Sequence, residues 1–293
     1  MRVLVFGAGG MLGHKLMQVL GPGHDVFGTT RGETEQLERF ADSAHLISQV
    51  SVEVPESIRT ALETIRPEVV IDAIGIIKQL PDSKNVITTL TVNSIFPHRL
   101  AELSREFGFR LITISTDCVF SGSRGNYSEE DTPDAVDLYG KSKNLGEVAG
   151  ENCLTLRTSI IGHELGSAHS LVDWFLSNRG GKVKGFANAI YSGFPTVAFA
   201  AIIDNLIRSH PKLSGLYHVS SDPISKYDLL GLINEAYSLN ITIERDKEFR
   251  IDRSLDSTRF RTEVGFSPKS WNEMIDLMAD DAEIYGYGKG SRE

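Results

Sequence analysis

Cysteine is scarce in this chain of 293 residues, which contains only Cys118 and Cys153. Two thiols cannot form the disulfide framework of a small secreted domain, so we expect both to be reduced. Long hydrophobic runs are also missing, because no stretch reaches the roughly 18 apolar residues of a membrane-spanning helix. The N-terminus carries no signal-peptide cleavage pattern. The sequence therefore predicts a cytoplasmic protein that has no membrane partner.

Positive charge is in deficit, with 30 Lys and Arg against 39 Asp and Glu and a net charge of −9. An acidic surface argues against nonspecific binding to nucleic acid, although it permits a local basic pocket for a phosphorylated ligand. The histidines show no metal-ligand spacing, so we predict no catalytic metal. This spacing argument covers four histidines: His14, His163, His169 and His218.

What the chain does contain is an alternation of apolar strands and helical patterns in its first half. The predicted strands are Val3–Phe6, Val26–Thr29, Glu68–Ala73, Leu111–Ser115 and Cys153–Arg157. The predicted helices are His14–Leu20, Ser57–Ile65, Thr91–Phe107 with Pro97 at a turn or kink, and Leu138–Ala149. Such alternation predicts an α/β fold with a Rossmann-type doubly wound parallel sheet, whose ligands bind at the carboxyl ends of the strands.

The same pattern suggests how the chain is divided. Residues 1–160 are expected to form a dinucleotide-binding domain. Residues 161–293 are expected to form a smaller domain, mainly for substrate, with some segments returning to the Rossmann core. The hydrophobic content of 41% is sufficient for one large domain or two smaller ones.

A glycine loop follows the first predicted strand and opens the first helix. Gly7, Gly10 and Gly13 have the spacing G-x-x-G-x-x-G, with Met11 and Leu12 between the last two. Glycines permit the tight turn and let backbone N–H groups approach a pyrophosphate at the positive end of the helix dipole. The loop therefore predicts dinucleotide binding, whereas the alternative is a plain tight turn.

The end of the second strand indicates which dinucleotide is bound. An NAD site usually places Asp or Glu there to hold the ribose 2′-hydroxyl. This chain instead has Thr30 and Arg31, which could bind a 2′-phosphate that a carboxylate would repel. The sequence favours NADP(H) over NAD(H), unless Arg31 is only a solvated loop residue.

Tyr139 and Lys143 are four residues apart on a predicted helix, so their polar groups lie on one face. A neighbouring lysine cation favours the phenolate and would lower the tyrosine pKa by roughly 1–3 units. That shift would make Tyr139 a usable acid–base group near neutral pH. The alternative is an ordinary solvated helix turn.

Together these motifs resemble a known family. Gly7-x-x-Gly10-x-x-Gly13, the Ser-Thr-Asp-Cys-Val-Phe of 115–120 and Tyr139-x-x-x-Lys143 resemble the extended short-chain dehydrogenase/reductases, most closely the dTDP-4-dehydrorhamnose reductase group. The resemblance covers nearly the whole chain. Four later segments also match: Leu156–Ser159, Phe194–Thr196 with the preceding Gly193, Gly215–Val219 and Leu255–Thr258.

The resemblance implies a role for each catalytic residue. Thr116 would hydrogen-bond the substrate carbonyl, Tyr139 would donate a proton to that oxygen, and Lys143 would hold the nicotinamide ribose and tune Tyr139. The remaining implied cofactor contacts lie along the same strand ends: Ala73, Ile74, Gly75, Asn93, Ser115 and Thr158, with Ser159 beside the last.

Two departures from the family pattern fall at the expected substrate site. Cys118 stands where the family has tyrosine, and 72–79 replaces the family's Asn-Ala-Ala-Ala-Tyr-Thr. These changes leave open the sugar, the nucleotide and the roles of Cys118 and Lys78. Three other residues have two interpretations each: Trp174 and Phe175 either stack on the ligand or form a core stripe, and Arg253 either meets a diphosphate or lies on the surface.

The leading hypothesis is an NADPH-dependent reductase of a nucleotide-linked 4-keto-6-deoxy sugar, whose product would enter a surface polysaccharide. A sugar-nucleotide epimerase or dehydratase of the same superfamily is a second hypothesis. A non-catalytic NADP-binding regulatory subunit is a third, because such a relative can retain Tyr-x-x-x-Lys. The family resemblance is compatible with a homodimer.

Overall fold

The computed structural model describes residues 1–79, 81–166, 168 and 170–287. The strands are β1 Arg2–Phe6, β2 Asp25–Thr29, β3 Leu46–Ile47, β4 Val69–Asp72, β5 Arg110–Thr116, β6 Cys153–Thr158, β7 Ile160–Ile161, β8 Lys182–Tyr191, β9 Phe194–Pro195, β10 Gly215–His218, β11 Ile224–Ser225 and β12 Thr242–Asp252. The helices are α1 Gly13–Leu20, α2 Pro55–Ile65, α3 Val86–Leu90, α4 Phe96–Phe107, α5 Leu138–Leu145, α6 Leu171–Leu176, α7 Thr196–Ser209, α8 Lys226–Ala236, α9 Thr258–Val264 and α10 Trp271–Asp280.

Seven strands form one parallel sheet in the order β3-β2-β1-β4-β5-β6-β10. The chain runs outward from β1 in one direction and then, after β3, outward from β4 in the other. The predicted doubly wound Rossmann-type sheet is therefore confirmed. In such a sheet, the crevice at the carboxyl ends of β1 and β4 is the expected ligand site.

Alternation along β1 divides the core into two layers. Leu4 and Phe6 pack on the side of α2 and α4, whereas Val3 and Val5 join the larger cluster on the opposite face, which also contains residues of α1 and α7. All four side chains are fully buried. A strand buried on both faces needs a continuous apolar run, which is why residues 3–6 read as a parallel strand in the sequence.

The predicted helix Thr91–Phe107 is longer and less regular than expected. Helical backbone begins at Val86, and a π-helical turn over Thr91–Ile95 separates α3 from α4. Pro97 lies in the first turn of α4, where its missing N–H removes little. The π-helical turn is wider than an α-helical one and lies just before the proline. Asn93, which belongs to this turn, is buried.

The predicted helix Leu138–Ala149 ends four residues early, at Leu145. A Cβ on Gly146 would overlap the carbonyl oxygen of Asn93, so the chain at this point lies directly against the backbone of the π-helical turn. That close contact requires glycine and ends α5. Sequence periodicity could not predict this ending, because the cause is a contact with another helix.

The second half of the chain adds a smaller sheet, in which β8 pairs with β11 and β12, and the short parallel pair β7 and β9. The second half of the chain also supplies β10, which extends the central sheet beside β6. Within the described residues, the helices are too short or too polar to cross a membrane.

Candidate active site

The glycine loop has little space for side chains. Gly7 has a φ of +86°, and a Cβ on it would lie 2.9 Å from Ile74 Cγ1. A Cβ on Gly13 would overlap the Gly7 carbonyl oxygen, and Gly10 N–H donates to that oxygen at 3.0 Å. The chain therefore turns tightly and leaves Gly9 and Gly10 exposed beside the N-terminus of α1.

This loop fits the diphosphate of a dinucleotide. Leu12 stands at the N-cap position of α1, where its side chain cannot accept hydrogen bonds from the first N–H groups. The first turn contains no acidic residue that would repel an anion. The loop therefore supplies the close backbone approach and the positive dipole end that a diphosphate requires.

Gly13→Ala is expected to weaken dinucleotide binding and to lower the free energy of unfolding by about 1–3 kcal/mol, because its Cβ must displace the backbone of Gly7. Gly9→Ala is the matched control in the same loop, because its Cβ would lie 3.9 Å from the nearest atom, Thr30 Oγ1. Thermal unfolding and dinucleotide titration measure both effects. Equal tolerance of the two alanines would contradict this close packing.

The residues expected to select the cofactor lie at the carboxyl end of β2. The Thr30 N–H donates to the Ile47 carbonyl, and the Thr30 carbonyl accepts from the Val50 N–H. The Thr30 hydroxyl accepts from Gly32 N–H at 3.3 Å. Arg31 is exposed. The arginine is free to reach a phosphate group on a ligand that occupies the crevice.

The segment after β4 lies against the glycine loop. The Ala73 carbonyl lies 3.3 Å from the Cβ position of Gly7, and Gly75 is exposed beside it. Asp72, at the end of β4, is buried and accepts from Ile74 N–H at 3.1 Å. Burial raises the pKa of Asp72 to about 6, although the charge of Lys143 opposes this shift.

Thr116 ends β5 and begins the turn Asp117–Val119. Its hydroxyl accepts from Cys118 N–H at 3.1 Å and donates to Asp117 Oδ1 at 3.1 Å. Burial, reinforced by the charge of Asp117, raises the pKa of the Cys118 thiol to about 11. Cys118 is therefore a neutral, half-buried side chain at neutral pH.

The predicted pKa shift of Tyr139 is wrong in direction. Burial raises the pKa of Tyr139, and the nearby Cys118, Asp117 and Asp137 reinforce this effect, while a hydrogen bond with Thr116 opposes it. The side chain of Lys143 is directed elsewhere, because its ammonium donates to the Ile114 carbonyl at 2.7 Å. A protonated phenol at pH 7 is suited to donate a proton rather than to remove one.

Lys143 lies between two carboxylates. Burial lowers its pKa, and the charges of Asp72 and Glu147 oppose that lowering. The spacing of four residues does place Tyr139 and Lys143 on one short helix, α5. Sequence spacing could not show that the Lys143 ammonium is bound by a carbonyl group of β5.

Asn93 links two segments of the site through hydrogen bonds of its side chain. Its amide donates to the Ile76 carbonyl at 3.0 Å and to Ser142 Oγ at 3.1 Å, and its Oδ1 accepts from Ile76 N–H at 2.8 Å. These bonds use both amide protons, so Asn93 ties the segment after β4 to the helix that carries Tyr139.

Ser115 and Thr158 are buried and form hydrogen bonds within the protein. The Ser115 hydroxyl donates to Glu147 Oε1 at 2.6 Å, and Thr158 Oγ1 donates to the Ser159 carbonyl at 3.4 Å. Glu147 forms a two-point ion pair with Arg157, at 2.7 Å for each bond. Sequence reasoning missed this pair and Asp72 as parts of the site, although Arg157 lies within a segment that matched the family.

Lys78 lies beside Asp137 and the ring of Tyr139. Its ammonium donates to Asp137 Oδ2 at 2.8 Å and lies 5.6 Å from the centroid of the Tyr139 ring. Asp137 also caps α5 through Gly140 N–H at 2.9 Å. Burial would raise the pKa of Asp137, but these two hydrogen bonds hold it below its usual range. Arg253 lies near the same turn and donates from Nε to the Phe120 carbonyl at 2.8 Å.

The structure separates the two aromatic candidates. Phe175 is fully buried in the core, so its predicted alternative as a ligand-stacking residue is wrong, whereas Trp174 is 41% exposed. No set of three or more His, Cys, Asp or Glu side chains is placed to hold a metal within the part of the chain that the structure describes. His169 lies outside the described residues.

Sheet order, glycine loop and the group of Thr116, Tyr139 and Lys143 define an NAD(P)-dependent oxidoreductase of the short-chain dehydrogenase/reductase class. The family model described as the RmlD substrate binding domain matches residues 1–284, and the chain therefore belongs to that family. This assignment agrees with the resemblance to dTDP-4-dehydrorhamnose reductases found in the sequence.

Three relatives match over most of their lengths. The spore coat polysaccharide biosynthesis protein SpsK of Bacillus subtilis (strain 168) is 28% identical over 288 residues, which cover 94% of this chain and 95% of that protein. A dTDP-4-dehydrorhamnose reductase of Aggregatibacter actinomycetemcomitans is 25% identical, with coverage of 94% and 97%. The methionine adenosyltransferase 2 subunit beta of Mus musculus is 28% identical, with coverage of 94% and 89%.

Solved structures share the fold. The dTDP-4-dehydrorhamnose reductase of Bacillus anthracis str. Ames, crystallised with NADP, has a TM-score of 0.79 at 22% identity and covers 96% of this chain and 99% of that one. WbmG of Bordetella bronchiseptica, in complex with NAD, also has a TM-score of 0.79, at 19% identity, with coverage of 99% and 96%.

Proposed function

We propose that this protein reduces the keto group of a nucleotide-linked 4-keto-6-deoxy sugar with NADPH, in the synthesis of a surface polysaccharide. The observation that carries this proposal is that α5, which bears Tyr139 and Lys143, is held against β5, which ends at Thr116, because the Lys143 ammonium donates to the Ile114 carbonyl. The glycine loop follows β1, which is separated from β5 in the sheet only by β4. The names of the SpsK and Aggregatibacter relatives support the substrate class and the polysaccharide role.

The residues present can carry out the proton transfer. A bound reduced nicotinamide would supply the hydride. Tyr139 keeps its proton at neutral pH because burial raises its pKa, so it donates that proton to the carbonyl oxygen. The Thr116 hydroxyl, which donates to Asp117 Oδ1, would donate to the same carbonyl oxygen when the substrate binds. The Lys143 ammonium, held by the Ile114 carbonyl, would donate to a ribose hydroxyl of the bound dinucleotide.

Arg31→Ala is expected to raise the Kd of NADPH by roughly 10- to 100-fold, which corresponds to one charge-assisted contact of about 1.5–3 kcal/mol. The Kd of NADH should change less than about twofold, because NADH has no 2′-phosphate. Fluorescence titration with each reduced dinucleotide measures both values. Arg99→Ala, which alters another exposed arginine, on α4, is the control. Equal weakening of both dinucleotides by Arg31→Ala would refute the 2′-phosphate contact.

The sugar nucleotide is assigned mainly to residues 161–293, with the dinucleotide on 1–160. Two cations support binding of its diphosphate near the Thr116 turn. The charges of Arg253 and Lys78 both act on Cys118, and Arg253 also lowers the pKa of Asp117 against the effect of burial. Exposed Trp174 remains the candidate for stacking on a base or sugar.

Dehydration is a weaker proposal for this site. The related dehydratases have a glutamate base at the position of Cys118, as the family resemblance implies. A thiol whose pKa is raised to about 11 holds its proton at neutral pH and cannot act as that base. The site therefore favours reduction over removal of a C5 proton.

A regulatory subunit is the second candidate, and the similarity to the mouse adenosyltransferase subunit favours it. The decisive experiment is a screen of 4-keto sugar nucleotides, with dTDP and UDP carriers, against NADPH and NADH, followed by absorbance of the reduced nicotinamide. Oxidation of NADPH with one of these sugars supports the reductase. Dinucleotide binding without oxidation across the screen would favour the regulatory subunit.

A further inference from the structure

A chain of hydrogen bonds joins the C-terminal segment to the glycine loop. His14, on α1, is fully buried, with Nδ1 2.8 Å from the Gly10 carbonyl oxygen and Nε2 2.7 Å from the Tyr285 hydroxyl. Tyr285 ends the short helix Ala282–Tyr285 that follows α10. These contacts connect the first cofactor motif with the far end of the described chain.

The direction of each bond follows from its acceptor. A carbonyl oxygen can only accept, so the ring proton of His14 is on Nδ1 and points to Gly10. The bare Nε2 must then accept from the Tyr285 hydroxyl. Burial lowers the pKa of His14 to about 4 and raises the pKa of Tyr285, so both groups are neutral at pH 7. Tyr285 therefore donates to His14, which donates to Gly10.

The Gly10 carbonyl controls the next peptide N–H. It accepts from His14 N–H at 3.2 Å as well as from the His14 ring, so it points along α1 into the protein. In a trans peptide the C=O and N–H groups point in opposite directions, and the described chain has no cis peptides. The N–H of Met11 is therefore directed outward, to the side where a diphosphate would meet the loop.

We propose that His14 and Tyr285 are positioning residues for the dinucleotide diphosphate, and that the C-terminal segment is thus part of the cofactor site. They fix the Gly10–Met11 peptide with its N–H toward the anion before the ligand arrives. Such preorganisation increases affinity because no peptide has to be reoriented on binding. This inference rests on the dinucleotide binding of the proposed function.

Other contacts hold Tyr285 in place. Lys15, which is 3% exposed, forms an ion pair with Asp281 at 2.7 Å. The His163 ring lies 4.4 Å from the Tyr285 ring, between centroids. Tyr287 belongs to the same segment, but its hydroxyl donates to Asp173 Oδ1 at 3.2 Å. Because Tyr287 lacks the bond to His14, it provides a matched control.

The test compares Tyr285→Phe and Tyr287→Phe in calorimetric titrations with NADP⁺, or with NAD⁺ if the unsubstituted protein binds it more tightly. Tyr285→Phe is expected to raise the Kd five- to tenfold with the full number of binding sites. Tyr287→Phe should leave the Kd within twofold. A partly unfolded sample would show fewer sites with an unchanged Kd, so a merely structural role of the hydroxyl would not produce the expected result.

His14→Asn, whose side chain is too short to bridge Gly10 and Tyr285, supplies the second measurement. The double variant His14→Asn/Tyr285→Phe should bind no more weakly than His14→Asn, because both changes break one hydrogen-bonded chain. A Tyr285→Phe Kd equal to that of the unsubstituted protein, or additive losses in the double variant, would overturn the inference. If the unsubstituted protein binds neither dinucleotide, the proposed function fails as well.

Discussion

Tyr139→Phe is expected to lower the rate of keto reduction by about 10²- to 10⁴-fold, the usual contribution of a positioned acid. The change removes the hydroxyl and keeps the ring, over which Lys78 lies at 5.6 Å. Dinucleotide affinity should therefore stay within about twofold. The loss falls on the chemical step, because Tyr139 is the group that donates the proton in the proposed mechanism.

The measurement uses the sugar nucleotide identified by the screen, at saturating NADPH. Tyr217→Phe is the matched control, because the Tyr217 hydroxyl binds Glu263 at 2.7 Å on the edge strand β10, away from the glycine loop. That variant should retain its rate. Activity of Tyr139→Phe within about tenfold of the unsubstituted enzyme would remove Tyr139 from the proton transfer.

Arg157→Met is expected to lower the free energy of unfolding by about 3–5 kcal/mol, the usual cost of removing one partner from a buried ion pair. The side chains of Arg157 and Glu147 are 5% and 8% exposed. Methionine leaves the Glu147 carboxylate buried with the Ser115 hydroxyl at 2.6 Å but without its ion-pair partner. His218 also loses a donor, at 3.1 Å from Arg157.

Urea unfolding of two further variants identifies burial as the cause. The exposed pair of Arg59 and Glu106 also has two hydrogen bonds, at 2.6 and 2.8 Å. Because this pair is in solvent, Arg59→Met should lower the free energy of unfolding far less. Glu147→Gln/Arg157→Met should recover part of the stability that Arg157→Met loses, because it removes the unpaired charge. A double variant less stable than Arg157→Met would contradict this account.

The sheet was predictable because its signals are local. The run Val3–Phe6 is apolar on both faces, and Gly7 and Gly13 occupy positions where the backbone leaves no space for a Cβ. The helix that carries Tyr139 and Lys143 was also predicted, although its end at Leu145 was not. That end depends on a contact with Asn93, which is remote in sequence.

Burial accounts for the error in the site. Spacing predicted a lysine that lowers the tyrosine pKa, but in the folded protein Tyr139 is half-buried beside Cys118, Asp117 and Asp137, and its pKa rises. The hydrogen bond from the Ser115 hydroxyl to Glu147 was likewise not predictable from sequence spacing. Neither result depends on the residues near each group in sequence, because desolvation is a property of the packed protein.

By itself, the sequence determined the fold, the glycine loop and the chemical class of the site. Strand periodicity, glycine spacing and motifs are each recognisable within a few consecutive residues. Only the tertiary structure decided the directions of the pKa shifts of Tyr139 and Lys143 and the link from Gly10 to Tyr285. Those depend on which groups lose water and which distant side chains meet, and packing of the whole chain determines both.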